Sequence, residues 1–241
     1  DVGDLVRTII VDSSITARIR KDQIIDNKNI KEEVVIVGLS SFGKSKFENK
    51  YNSGIGSNGL TSARHDVFEK YLAKKYPESF DPEVPTDLVY SGTKKILDKI
   101  DNSELNIGSL VLSPTRTYTP LLKIIFDKVG RENINGIIHC TGGGQTKILN
   151  FIDNLHIVKD NLFDIPPVFK LILNESDTDP REMYKVFNMG HRMEIYTDSN
   201  TANKIIEISN SYGIDSKVIG KVHSSIDKKL SISSELGNFE Y

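Results

Sequence analysis

A chain of 241 residues is long enough to bury a sizeable core in one large domain or two smaller ones, so size excludes little. Its 31 lysines and arginines against 33 aspartates and glutamates leave a net charge of −2, a balance that selects for neither nucleic acid nor an anionic membrane. A single cysteine, Cys140, excludes an intrachain disulfide framework and a cysteine-built zinc site, and no apolar run reaches membrane-spanning length, which fits a soluble cytoplasmic protein.

In chain order, Ile9, Val11, Ile15 and Ile19 predict two short strand-like runs about a turn, too small to be stable without further strands. Residues 1–30 therefore read as the remainder of a longer polypeptide and residues 31–241 as a domain of their own, with the boundary in the polar stretch at 27–32. Val34 to Leu39 is a continuous apolar run, the signature of a strand covered on both faces, and it ends in the loop GLSSFG. Leu60, Ala63, Val67, Tyr71 and Leu72 share a helical face, capped by Ser57 or Asn58 and ended by prolines 77, 82 and 85. Ile107 to Leu112 reads as a strand, Pro120 starts a helix that Gly130 stops, and Ile134 to His139 is another strand. Helices over VFKLILNES and PREMYKVFN, a strand over RMEIYTD, a helix over SNTANKIIEISNSYG and a strand over SKVIGKVH complete an alternating pattern. The expected class is α/β with a mixed sheet and some two-layer α+β character.

The candidate functional residues sit where strands hand over to loops. Ser40, Ser41 and Gly43 can offer hydroxyls and backbone N–H groups to an anion, or simply form a turn. Ser57, Asn58 and Gly59 lead straight into a helix, an arrangement suited to phosphate and equally to capping; the stretch satisfies neither the GxxxxGK[ST] nor the GxGxxG pattern. Thr115 and Arg116 lie between two prolines, where a presented arginine can fork onto a phosphate or pair with a carboxylate. His139 can orient a carbonyl, move a proton or pack as an ordinary histidine. Thr141 adds a hydroxyl, and Gly142, Gly143 and Gly144 allow close backbone approach. Asn188 and Gly190 precede a strand, with capping as the competing reading for the asparagine. Cys140 reads as a small buried spacer, and His65, His156, His191 and His223 show no metal spacing.

Taken in order, DVGD, GLSSFG, GSNGLTSAR, LSPTRTY, HCTGGGQTKI and EMYKVFNMG resemble the phosphoribosylformylglycinamidine cyclo-ligase family, the aminoimidazole ribonucleotide synthetases. The wider superfamily includes formylglycinamidine ribonucleotide synthetase and selenophosphate synthetase. The resemblance implies ATP and Mg2+ as cofactors, formylglycinamidine ribonucleotide as substrate and a homodimer, with no nucleic acid or membrane partner. It implies a nucleotide-side role for Asp1, Ser40, Ser41, Ser57, Asn58 and Gly59, with Asp1 also the metal candidate, and it makes residues 1–30 the terminal strands of an otherwise missing N-terminal ATP-binding and dimerisation domain. Thr115, Arg116, Gly142, Gly143, Gly144, Asn188 and Gly190 fall on the substrate side, and His139, Arg116 and Thr141 carry the chemistry. A noncatalytic ligand-sensing or assembly fragment and a selenophosphate-type synthetase are the competing readings.

Overall fold

The computed structural model describes residues 13–57, 59–100 and 105–241. Their strands are β1 Val35–Ser40, β2 Ile134–His139, β3 Leu155–Lys159, β4 His191–Thr197, β5 Ser216–Ser224, β6 Lys229–Ser234 and β7 Gly237–Glu240. The α-helices are α1 Leu60–Val67, α2 Tyr71–Lys75, α3 Ile107–Val111, α4 Thr119–Val129, α5 Pro167–Glu175, α6 Pro180–Val186 and α7 Ser199–Ser211. The described strands form one seven-stranded sheet in the order β2-β4-β1-β5-β3-β6-β7. The β3–β6 pair is parallel and the others are antiparallel, so the mixed α/β class expected from the sequence is found.

β1 lies between β4 and β5 and is buried at all six positions, as its unbroken apolar run predicts. The pleat sends Val35, Val37 and Leu39 to one face, where Leu121 and Ile125 of α4 and Ala202 and Ile205 of α7 close over them with Met193 and Ile195. Ile36 points the other way, into a second layer with Ile157, Tyr196, Ile219 and the apolar sides of α5 and α6. An irregularity between Ile134 and Gly136 shifts the register of β2, so Ile134 joins the first layer and Ile138 the second although their spacing is even.

Four expectations are corrected. Residues 13–20 form no strand, and Ile15 is 93% exposed without a sheet partner among the described residues; the residues before 13 lie outside those described. Ile107–Leu112 is a helix followed by its cap, because Asn106 accepts a hydrogen bond from the Ser109 N–H and Ile107, Leu110 and Val111 bury at helical spacing. The helix expected from Leu60 through Leu72 is broken, since Phe68 is extended and bridges Lys94, whose carbonyl takes the Glu69 N–H. Gly59, with φ +75°, is the N-cap of α1 in place of Ser57; Asn58 lies outside the described residues. α4, α5, α6 and α7 lie where the sequence puts them, the first three starting with a proline in their first turn.

Ile195 is fully buried in the strand between β1 and β2. Ile195→Ala is expected to lower unfolding free energy by about 2–5 kcal/mol, measured by urea denaturation followed by circular dichroism.

Candidate functional site

Antiparallel register brings the sequence-predicted loops to one end of the sheet. Ser40, the last residue of β1, pairs with His191, the first of β4, and His139, the last of β2, pairs with Met193. The loops that follow β1 and β2 and the one that precedes β4 therefore open together. Two further loops are tied to them. The Ser57 N–H donates to Thr115 Oγ1 at 3.3 Å, and the Asn188 amide donates to the Gly54 carbonyl at 2.8 Å.

Within this cluster the predicted residues divide into an open set and a buried set. Ser57, Thr115 and Gly142 are exposed, while His139, Thr141 and Gly143 are half-buried. Gly142 has φ +60°, and a side chain there would meet nothing within 4 Å, so its backbone faces open space. These groups are available to a ligand.

The buried set is committed to the protein itself. Arg116 is 3% exposed, which corrects the expectation of a presented guanidinium. Its Nε and Nη2 grip both Glu48 oxygens at 3.0 and 2.7 Å, and Nη1 and Nη2 also reach the carbonyls of Ser40, Phe42 and Gly43. A fork saturated in this way shapes the loop after β1 and holds no spare donor pair for phosphate. Ser40 and Ser41 are likewise fully buried, and Ser41 Oγ donates to Asn188 Oδ1 at 2.6 Å. Asn188 Oδ1 also accepts from the Gly190 N–H, so this asparagine neither caps a helix nor faces a ligand; it laces three loops together. Gly59 and Gly144 make close approaches to protein: a Cβ would come within 2.5 Å of the Phe187 ring at the first and of the Tyr184 carbonyl at the second. Asp1 and Asn58 lie outside the described residues.

Below the loops runs a polar network that sequence reasoning missed. Lys159 Nζ, fully buried, lies 2.5 Å from Glu194 Oε1 and donates to the Gln145 carbonyl and side-chain oxygen at 2.8 and 3.0 Å. Gln145 passes the connection on through Nε2 to the carbonyls of Asn188 and His191. Glu194 also meets His191 Nε2 at 3.0 Å and accepts from Tyr196 at 2.7 Å. Burial would raise the Glu194 pKa, but the Lys159 charge and the His191 contact outweigh it and hold the carboxyl far below its ordinary range. Burial dominates at His191 and keeps it neutral, the Glu194 contact opposing. The available signal was charge inside otherwise apolar strands: Lys159 ends LHIVK, and Glu194 sits in RMEIY.

Cys140, His191 and Glu194 place ligand-type atoms within 4.8 Å of one another. The set does not fit Mg2+, which asks for oxygen ligands, and the Lys159 ammonium already supplies the positive charge beside the carboxylate. Burial drives the Cys140 thiol pKa well upward, consistent with the packed spacer expected.

His139 is different. Burial, then the charges of Arg192 and Lys147, push its pKa below the ordinary value of 6.5, so its imidazole is neutral at pH 7 and able to accept a proton.

These features define a mixed α/β domain with a glycine-rich loop cluster at the ends of its central strands. Residues 31–232 match the family model described as AIR synthase related protein, C-terminal domain, and the chain belongs to that family. It is 33% identical over 225 residues to a phosphoribosylformylglycinamidine cyclo-ligase of Methanocaldococcus jannaschii and 32% identical over 228 residues to one of Methanococcus vannielii. Each match covers 93% of this chain and 54% of the relative, so the chain spans about half the length of these proteins. Among solved structures it is similar to T. maritima PurL complexed with FGAR, at 16% identity and a TM-score of 0.45, covering 92% of this chain and 29% of that one. No helix among the described residues is long and apolar enough to cross a membrane.

The network sets a pH dependence. Both folded-state pKa values lie below the ordinary values of 6.5 for His191 and 4.5 for Glu194, so the unfolded chain binds more protons as pH falls. The stabilisation is complete above pH 6.5, weakens first through His191 and then steeply below pH 4.5 through Glu194. Glu194→Gln, which strands the buried Lys159 charge, is expected to lose about 3–5 kcal/mol at pH 7 and to flatten the acid limb, measured by denaturant titrations from pH 3 to 8.

Proposed function

We propose that this chain forms the substrate-side half of an ATP-dependent cyclo-ligase that closes formylglycinamidine ribonucleotide to 5-aminoimidazole ribonucleotide, releasing ADP and phosphate. The observation that carries the reading is the match of residues 31–232 to the AIR synthase related C-terminal domain, together with the gathering of its strand-end loops into one cluster. Residues 1–30 belong, on this reading, to a preceding domain that supplies most of the nucleotide and Mg2+ contacts and the homodimer interface. No Mg2+ site is assigned to the described residues.

The chemical obstacle is that a formyl oxygen leaves poorly when a weak nitrogen nucleophile attacks. Transfer of the ATP γ-phosphoryl group to that oxygen gives an iminophosphate; the ribosyl-bearing nitrogen then attacks the formyl carbon, and phosphate departs as the ring closes. There is little covalent work for the protein, so its contribution is positioning and charge stabilisation. Thr141 and the open Gly142 and Gly143 backbone line the substrate, and Ser57 and Thr115 hold the opposite lip. The neutral His139 accepts the proton that the attacking nitrogen must shed. Arg116, Ser40, Ser41, Asn188, Gly59, Gly144 and Gly190 act as the frame that fixes these groups.

The test is turnover by the protein as encoded, following ribonucleotide product formation and ADP release. ATP-dependent ring closure is expected. ADP release with selenide but not with formylglycinamidine ribonucleotide would replace this substrate, and no nucleotide turnover at all would favour a noncatalytic role. His139→Ala is expected to lower kcat by about 10²–10⁴-fold with a smaller change in KM, and to remove the fall of kcat at acid pH. Unchanged single-turnover ring closure in that variant would remove His139 from the mechanism.

A further inference from the structure

Two cations at the loop cluster stand outside the network just described. Arg192, the second residue of β4, is 3% exposed. Its guanidinium lies where a Cβ of residue 56 would be, 2.1 Å from Nη2 and 2.2 Å from Nη1, so only glycine fits at Gly56, which also has φ +63°. The Arg192 backbone carbonyl accepts the Cys140 N–H at 2.6 Å, so the residue joins the Gly54–Ser57 loop to the turn after β2. Nη2 donates to the Gly54 carbonyl at 2.8 Å. Among the described residues Arg192 has no carboxylate partner, and its Nε is a buried side-chain nitrogen with no hydrogen bond. Arg116, equally buried, has Glu48 and a full set of acceptors, so the fold is able to neutralise a buried arginine, and at position 192 it does not.

Lys147 is the second cation. It rises from the Gly144–Asn150 turn, half-buried, and its Nζ donates to the Thr141 carbonyl at 2.7 Å; among the described residues it has no acidic partner. Lys147 Nζ is tied to the Thr141 carbonyl and the Arg192 carbonyl to the neighbouring Cys140 N–H, so both residues are anchored to the same short stretch of chain, and both charges lower the proton affinity of His139 beside it. The backbone there borders open space at Gly142.

An arginine shut away from water without an anion is destabilising, and the cost falls when a ligand supplies the missing charge. A planar fork and an ammonium anchored to the same turn suit a dianionic oxygen cluster and repel a metal cation. We propose that Arg192 and Lys147 receive a phosphate dianion between the His139–Gly143 turn and the Gly54–Ser57 loop. This rests on the substrate reading above, which involves two phosphate sources: the ribosyl monoester and the phosphoryl group passing from ATP.

The test is binding of inorganic phosphate to the 241-residue chain, by calorimetric titration and thermal unfolding against chloride at equal ionic strength. Phosphate is expected to raise the melting temperature of the parent chain. Arg192→Met is expected to bind phosphate at least about tenfold more weakly while remaining as stable as the parent without it, since it removes an uncompensated buried charge. Lys147→Met, on a half-exposed side chain, tests the site independently of core packing and is expected to weaken binding several-fold. Lys123→Met, on the exposed face of α4, is expected to leave it unchanged. Competition by ribose 5-phosphate alone would assign the site to the monoester, and competition by ATP alone to the transferred group; both support the anion site. Equal affinity in the parent and both site variants, or no more stabilisation by phosphate than by chloride, would overturn it. Turnover that persists with phosphate affinity unaltered sinks only this inference, whereas phosphate binding without turnover sinks only the cyclo-ligase reading.

Discussion

The ion pair between Lys159 and Glu194 is the contact on which the loop cluster depends. Both side chains are wholly buried, one at the end of β3 and the other inside β4, and these strands are separated in the sheet by β1 and β5. An isolated charge at either place would be strongly destabilising in a low-dielectric interior, and each residue offsets that cost for the other. Lys159 then has donors to spare, and they capture both oxygens of Gln145. Gln145 in turn fixes the carbonyls of Asn188 and His191, and Asn188 fixes Ser41 and Gly54. A single buried pair thereby sets the relative heights of four loops that are far apart in sequence.

The same physics separates the two buried arginines by role. Arg116 is neutralised internally and acts as a strut: its acceptors are the carbonyls of the loop after β1, whose shape it determines. Arg192 is held by packing against Gly56 and by its own backbone, with its charge unanswered by any carboxylate among the described residues. His139 registers that difference. Burial and the charges of Arg192 and Lys147 all disfavour its imidazolium, so the histidine nearest the open glycines is kept in the form that accepts protons. The frame and this histidine are thus linked electrostatically.

Much of this was legible in the sequence, for reasons that also mark where legibility ends. The six apolar residues from Val34, the prolines at helix starts and Gly130 at a helix end are local signals, and β1, α4, α5 and α6 follow from them. The loops singled out in the sequence come together because antiparallel pairing aligns Ser40, His139 and His191 at one edge. What failed was the assignment of side chains to solvent. Arg116, Ser41 and Asn188 have the chemistry of ligand contacts, but their partners lie 68, 147 and 134 residues away, and no local pattern announces that those partners exhaust them. β3, β6 and β7 went unread although Leu230 and Ile232 alternate with polar residues; a short alternating run carries little signal until its neighbours are known. The break after Val67 was equally hidden, since it depends on Lys94 offering Phe68 a bridge.

Three consecutive glycines after β2 look redundant until each is set in its surroundings. Gly144, with φ +49°, passes so close to the Tyr184 and Phe187 carbonyls that any side chain would collide with backbone, which lets the following turn deliver Gln145 to Lys159. Gly143, with φ +105°, begins that turn as its N-cap and accepts the Thr146 N–H. Gly142 alone meets nothing, and its left-handed backbone leaves the peptide bare toward solvent beside Thr141 and His139. The run is therefore a graded transition from core to open surface: the innermost glycine is required by the buried network and the middle one by the turn, while the outermost borders open space. Substituting alanine along it would disturb the frame, the bend and the opening in that order, because the conformational strain of φ > 0 is common to all three while the steric clash is confined to Gly144.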